Sequence, residues 1–210
     1  MKNTILVGVA GGSGSGKTLV AQKLTEKLGI DKSILMQQDS YYKDLSHLSF
    51  DDRKKRNFDH PDSFDEELLY EQITALLNGD SIEQPVYDFN RHTRSNRTRH
   101  IDPFPVLILE GILVLHSERL RNLMAIKIYV ETADDIRLMR RIRRDVQERG
   151  RDIGSVMDQY EQSVRPMHLK YVVTSRDYAD IIIPRGGLNE IAIDVVQAKI
   201  QQLINHESLT

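Results

Sequence analysis

An α/β fold, built as a parallel sheet with helices on both faces, is what this sequence predicts, and three observations carry the prediction. Apolar runs of strand length alternate with segments of helical period. The first of these runs leads straight into a glycine-rich loop and then a helical pattern. One polar, arginine-rich stretch, 85–103, breaks the alternation and reads as a hairpin inserted on one side of the sheet. With 210 residues, 40% of them hydrophobic, the chain can bury a large core. The expected organisation is one domain over 1–210, with the hairpin at 85–103 and an arginine-rich lid region at 137–152.

The elements follow in order. Ile5-Leu6-Val7-Gly8-Val9 is the first strand, and Leu19, Val20, Leu24 and Leu28 space out a helix over 17–28. Further strands are expected at 34–37, 106–109, 126–130 and 180–183. Further helices are expected at 65–77, 133–148, 153–171 and 189–203. Ser63-Phe64-Asp65-Glu66 reads as a capping box opening the second helix. Val86-Tyr87-Asp88-Phe89 is a short β-like piece of the hairpin, and Pro103 and Pro105 punctuate entry into the strand at 106.

Composition excludes several classes. There is no cysteine, hence no disulfide framework and no thiol catalysis. Met1-Lys2-Asn3-Thr4 runs directly into the first strand, so no signal peptide is expected, and no apolar run approaches the ~20 residues that span a bilayer. A cytoplasmic location is the expectation. Net charge is −2, which does not suit a polyanion binder, and no nucleic-acid partner is expected. The seven histidines show no metal-ligand pattern.

Gly11-Gly12-Ser13-Gly14-Ser15-Gly16-Lys17-Thr18 fits Gly-x4-Gly-Lys-[Ser/Thr], the phosphate-binding P-loop, and it sits between a strand and a helix as that motif requires. Glycines let backbone N–H groups curl around phosphate oxygens. The helix directs its positive end at the same oxygens. Lys17 adds a charge near the β- and γ-phosphates, and the Thr18 hydroxyl can ligate Mg²⁺.

Two strands end in acids. Glu110 closes Val106-Leu107-Ile108-Leu109, in the place of the acid that holds Mg²⁺ or its water beside a P-loop. Asp39 closes Ile34-Leu35-Met36-Gln37-Gln38. In such sheets ligands lie beyond the carboxyl ends of the strands. A kinase needs a carboxylate there to orient the attacking hydroxyl. Asp39 equally fits a turn or helix cap before Tyr41-Tyr42.

Asn57-Phe58-Asp59-His60-Pro61-Asp62 crowds an aromatic ring, acids and a His before a helix. Phe58 can flank a planar base and Asp59 can accept from sugar hydroxyls. Tyr87-Asp88-Phe89-Asn90-Arg91-His92 combines stacking surfaces with groups that read a base edge. A solvated basic hairpin, with Arg94, Arg97 and Arg99, is the alternative for that stretch. Seven arginines fall between Arg137 and Arg151. Arg137, Arg140, Arg141 and Arg144 share one helix face. Nucleotide phosphates under a closing lid account for them, and a solvated or RNA-binding helix competes.

Taken together these strings resemble the uridine–cytidine kinase family of P-loop kinases. The resemblance covers nearly the whole chain and includes 11–18, Gln-Asp-Ser-Tyr-Tyr at 38–42, Asn-Phe-Asp-His-Pro-Asp at 57–62 and Tyr-Asp-Phe at 87–89. It continues with Leu-Glu-Gly-Ile-Leu at 109–113, Arg-Arg-Asp at 143–145, Glu-Arg-Gly-Arg-Asp at 148–152 and Ile-Ile-Pro-Arg-Gly at 182–186. It implies a P-loop kinase-like fold and phosphorylation of uridine and cytidine at the 5′-hydroxyl by ATP or GTP with Mg²⁺. It further implies Asp39 as base, helped by Lys17, with Arg144 and Arg149 over the phosphates. Tyr42, Phe58, Asp59, Tyr87, His92, Arg141, Arg151 and Gln159 fall to the nucleoside, and Thr18, Glu110 and Asp39 to the metal. A homotetramer restrained by CTP and UTP is also implied. The chain departs from the family at Leu188, where an acidic or polar residue is common. Relatives acting on a sugar phosphate or pantothenate would share the machinery, but they would not need the aromatic walls. A GTPase would need an Asn-Lys-x-Asp string, which is missing.

Overall fold

The computed structural model describes residues 4–207. Its strands are β1 (Ile5–Ala10), β2 (Ser33–Gln37), β3 (Ile82–Asp88), β4 (Thr93–Ile101), β5 (Val106–Gly111), β6 (Ile126–Glu131) and β7 (Ile181–Pro184). Five of them form a parallel sheet in the order β2-β5-β1-β6-β7, and β3 and β4 pair separately as an antiparallel hairpin. The helices are α1 (Lys17–Leu28), α2 (Phe50–Lys54), α3 (Glu66–Asn78), α4 (Glu118–Leu123), α5 (Asp134–Gln147), α6 (Ile153–Gln159), α7 (Arg165–Met167) and α8 (Glu190–Glu207). None is long and apolar enough to cross a membrane, among the described residues.

β1 is central because both its faces are apolar. Side chains alternate across a strand, so Ile5, Val7 and Val9 point one way and Leu6 and Ala10 the other. The first set packs with Val20, Leu24 and Leu28 of α1 and Ile193, Val196 and Ile200 of α8. The second packs with Leu69, Ile73 and Leu76 of α3 and Leu120 of α4. β1 hydrogen-bonds to β5 on one side and β6 on the other. The crevice at its carboxyl end is therefore where the strand order diverges, the place where such sheets bind ligands.

The expected strands and hairpin are present with shifted ends. The hairpin opens at Ile82, opposite Ile101, and its register shifts between Pro85 and Tyr87. Two expectations are corrected. The cap of α3 is Asp65, whose carboxylate accepts from Leu68 N–H at 3.2 Å. Ser63 instead closes the preceding loop, donating to the carbonyls of Phe58 and His60. The boundary lies at Asp65 because Phe64 is still extended, bridged to Tyr42. The helix expected over 153–171 is not uniform. Wide π-type turns occupy 160–164 and 168–172 around α7. Pro166 lies between them; it has no N–H to give and crowds the preceding turn.

Candidate active site

The turn from β1 into α1 is shaped by glycines that nothing else can replace. Gly14 and Gly16 have φ of +79° and +90°, a region side chains rarely adopt. A Cβ on Gly14 would meet the Arg137 carbonyl, and one on Gly12 the Arg137 guanidinium and the His168 ring. Gly16 caps α1 without any side-chain bond. The first N–H groups of α1 thus have no partner within the helix and face the loop. Ser15 N–H donates to Gly12 O at 3.0 Å, and the Thr132 hydroxyl donates to Ser15 O at 2.9 Å. Gly11, Gly12, Ser13, Gly14, Ser15, Gly16, Lys17 and Thr18 lie together at the carboxyl end of β1.

β5 ends on Glu110 and Gly111, and β2 ends on Gln37, the register partner of Glu110; Asp39 follows in the 3-10 turn 38–41 instead of closing the strand itself. Glu110 is 5% exposed. Thr18 Oγ1 donates to its Oε1 at 3.2 Å, and Lys17 Nζ lies 4.0 Å from Oε2. Oε2 is buried without a hydrogen-bond partner. Burial pushes the Glu110 carboxyl above its ordinary range; Lys17 opposes this and Asp39 adds to it. Gly111 is required beside it, because a side chain there would strike Gln38. The Gln38 amide oxygen accepts from Leu113 N–H at 3.0 Å, which fixes the turn that carries Asp39. An undonated carboxylate oxygen beside a hydroxyl fits a hard cation. Mg²⁺ takes few protein oxygens and completes its shell with water and phosphate.

The aromatic residues converge on Tyr42. Its ring lies 5.3 Å from Phe58, 5.1 Å from Tyr87 and 4.3 Å from Phe64, on which it stacks. Phe58 in turn stacks on His92 at 5.7 Å with 23° between the planes. His92 holds φ at +51° to reach that position. Burial and the Arg151 charge push its pKa down, so the ring is neutral at neutral pH. Tyr87 Oη is buried with no partner. Asp59 is half-buried, and its charge acts on Tyr42. Burial raises its pKa, the Arg141 charge opposes, and Asp39 adds to the rise. Arg94 ties the hairpin in place, donating to the carbonyls of Tyr42 at 2.7 Å and Tyr41 at 3.3 Å and pairing with Asp65 at 3.1 Å.

The arginine face of α5 lies against the phosphate loop. Arg137, only 3% exposed, donates to Ser13 O and pairs with Asp134 at 2.6 Å. Arg140 reaches Gly14 O at 3.4 Å. Arg141 donates to Ser13 Oγ at 3.0 Å and to Gln159 Oε1 at 2.9 Å. Arg151 shares Gln159 Oε1 at 2.6 Å. Arg149 lies over the Phe89 ring, 5.6 Å from its centroid. Ser13 is thus joined through Arg141 to Gln159 and Arg151, so the phosphate loop, α5 and α6 form one connected side-chain network.

Sequence reasoning passed over Gln38, Thr132, Arg94 and Asp145 as parts of the site. Asp145 left a signal, an acid four residues after Arg141 within an arginine run, and Gln38 and Asp145 both fall in strings shared with the family. A cavity of about 370 Å³ lies behind the loop, lined among others by Gly12, Thr132, Asp134, Arg137, His168 and Arg176. Its cations are already matched, Arg137 by Asp134 and Arg176 by Glu131 at 3.1 Å. It lacks the aromatic walls and the crevice acids.

Known proteins agree with this architecture. The model of the Phosphoribulokinase / Uridine kinase family matches residues 6–192. The chain is 54% identical over 208 residues to a uridine kinase of Geobacillus sp. (strain WCH70), covering 99% of this chain and 98% of that one. It is 51% identical over 208 residues to a uridine kinase of Bacillus subtilis (strain 168), covering 99% of both. The fold is similar to that of phosphoribulokinase from Rhodobacter spheroides, with a TM-score of 0.62 at 15% identity, over 88% of this chain and 71% of that one. A P-loop cradle, a buried strand-end acid and a full-length match converge on one assignment: the chain belongs to the phosphoribulokinase/uridine kinase family.

Proposed function

We propose that this kinase transfers the γ-phosphoryl group of ATP or GTP to the 5′-hydroxyl of uridine or cytidine, giving UMP or CMP. The observation that supports the reading is that the Asp39 charge acts both on Glu110 beside the phosphate loop and on Tyr42 and Tyr87 of the aromatic group, two unlike surroundings. One is a phosphate cradle of backbone N–H groups. The other is a wall of Tyr42, Phe58, Tyr87 and His92 rings, which suits a planar base and which a sugar phosphate does not need.

In this mechanism the loop and Lys17 hold the β- and γ-phosphates. Asp39 accepts the hydrogen bond of the 5′-hydroxyl and later its proton. Asp59 accepts from the ribose hydroxyls. Tyr87 and His92 contact the pyrimidine, with Tyr42 and Phe58 beside it. Arg141, Arg151 and Gln159 close the nucleoside side, while Arg144 and Arg149 stabilise charge on the phosphates. Thr18, Glu110 and Asp39 would hold Mg²⁺, directly or through water, and the ion would neutralise charge shared between β- and γ-oxygens. The expected setting is the cytoplasm, and the expected assembly is a homotetramer restrained by CTP and UTP. The exposed side chains of Ile30, Leu188, Ile191 and Val195 support burial against other copies.

The test is diphosphate release from ATP and GTP, with Mg²⁺, across uridine, cytidine, thymidine, adenosine, pantothenate and ribulose 5-phosphate, with a water blank. Turnover with uridine and cytidine alone is expected. Turnover with ribulose 5-phosphate or pantothenate in their place overturns the base-pocket assignment.

A further inference from the structure

The two oxygens of one buried carboxylate divide the arginine cluster. Asp145 is 0% exposed. Its Oδ1 faces Arg144, with Nε and Nη2 each at 2.9 Å, and Arg149, with Nη1 at 3.5 Å. Its Oδ2 faces Arg151 Nη1 at 3.4 Å and Arg141 Nε at 3.8 Å. The Asp145 main-chain oxygen also accepts from Arg151 N–H at 3.0 Å. Gln159 Oε1 then joins Arg141 to Arg151. In the functional reading above, on which this inference rests, the Oδ1 pair serves the donor phosphates and the Oδ2 pair the nucleoside. The division of the carboxylate therefore follows the division of the substrates.

We propose that Asp145 is a positioning residue that couples donor binding to acceptor binding. Four guanidiniums share one carboxylate, so the cluster keeps an excess of positive charge. Phosphates arriving at Arg144 and Arg149 take over part of their pairing. The negative charge on Asp145 then serves Arg141 and Arg151 more fully, and this holds them, with Gln159, in the geometry that the nucleoside needs. Burial is what makes the exchange strong, since charges in a dry site are poorly screened and tolerate no loss of partner. Asp145 touches neither substrate in this arrangement; it acts through the arginines.

The experiment measures uridine affinity by calorimetry with and without the imido analogue of ATP plus Mg²⁺, in the parent protein and in Asp145→Asn. In the parent, the analogue is expected to tighten uridine binding about tenfold, within the usual range of coupling between sites. In Asp145→Asn that ratio should fall to near one. A variant in which both affinities drop while the ratio is kept marks Asp145 as structural only and overturns the proposal, as does a parent ratio near one. If uridine does not bind the parent at all, the functional reading fails first and takes this one with it. Should Asp145→Asn not fold, a double-mutant cycle of Arg149→Lys and Arg151→Lys serves instead. Both side chains are partly exposed, so each variant should fold. The proposal expects their effects on kcat/KM to be non-additive by about fivefold or more, and additivity within about twofold overturns it.

Discussion

In the proposed mechanism the phosphate loop and the arginine-rich lid face the same kind of anion, yet they are built in opposite ways. The loop presents main-chain N–H groups whose positions are fixed by packing, with Arg137 and His168 pressed so close that Gly12 and Gly14 admit no side chain. The lid presents long side chains, and their positions depend on one shared acid, Asp145. A backbone cradle needs no reorganisation when phosphate arrives. An ion cluster must redistribute its partners. Under the proposal above, the loop would supply a fixed reference and the lid the response to what is bound.

If both regions only hold substrates, the chemical step rests on Asp39 between them. Asp39→Asn should then give the largest effect, lowering kcat by about 10²–10⁴-fold while uridine binding is largely kept. Stopped-flow turnover with a parallel binding titration checks this. Near-normal turnover would remove Asp39 from the mechanism and return the comparison to the loop and lid alone. Next in size is Gly14→Ala, which attacks the rigid half. The new Cβ meets the Arg137 carbonyl at a φ of +79°, so the cradle must shift. Misplacement on that scale costs about a hundredfold in kcat/KM, carried mostly by the donor. A variant with parental donor kinetics would show that the loop is not the fixed reference described above.

How legible the two regions are in the sequence follows from the same contrast. The loop's requirements are local: glycines at set spacing, a strand before, a helix after. They can be read from eight consecutive residues. The strand-end acid Glu110 is nearly as plain, because an apolar run that stops at a carboxylate announces its own end. The lid is legible only as charge. Nothing along the chain says that Asp145 is buried or that its two oxygens face different arginines, since this depends on how α5, α6 and the 148–152 turn fold back on one another. Ser63 misleads for a similar reason. Its spacing fits a cap, but the pairing of Phe64 with Tyr42 keeps the chain extended at Phe64 and passes the cap to Asp65. Gln38 and Arg94 act on the main chain of distant segments, and no pattern of spacing marks such bonds.

The acceptor side allows a finer test. His92 stacks on Phe58 and its ring is held neutral by burial and by Arg151. Loss of one stacking ring against a base costs about 1–3 kcal/mol, so His92→Ala should raise the KM for uridine roughly tenfold or more. The KM for ATP should change little. Equal losses for both substrates would place His92 outside the base pocket and would mean that the hairpin serves the lid rather than the acceptor.

The last effect concerns stability, not turnover, and joins the two regions underneath. His168 lies on the wide turn 168–172, its ring next to Gly12, so it supports the loop from the segment that follows the lid. Burial first, then the Arg137 charge, lowers its pKa to about 4, with Asp134 opposing. An unfolded histidine titrates near its ordinary 6.5. As the pH falls below that value, the unfolded chain takes up a proton that the folded chain refuses. Stability then drops until the pH reaches about 4, where the folded ring is protonated as well. The total loss is about 3 kcal/mol, at up to ~1.4 kcal/mol per pH unit. His168→Gln cannot titrate. Urea unfolding at pH 7.5, 6 and 5 should show a shallower acid slope for the variant than for the parent. Glu110 and Asp59, whose raised pKa values act in the opposite direction, are common to both proteins and cancel in the difference. Equal slopes would mean that His168 takes up its proton as readily in the folded chain as in the unfolded one, and that below about pH 6 the loop rests against a charged ring.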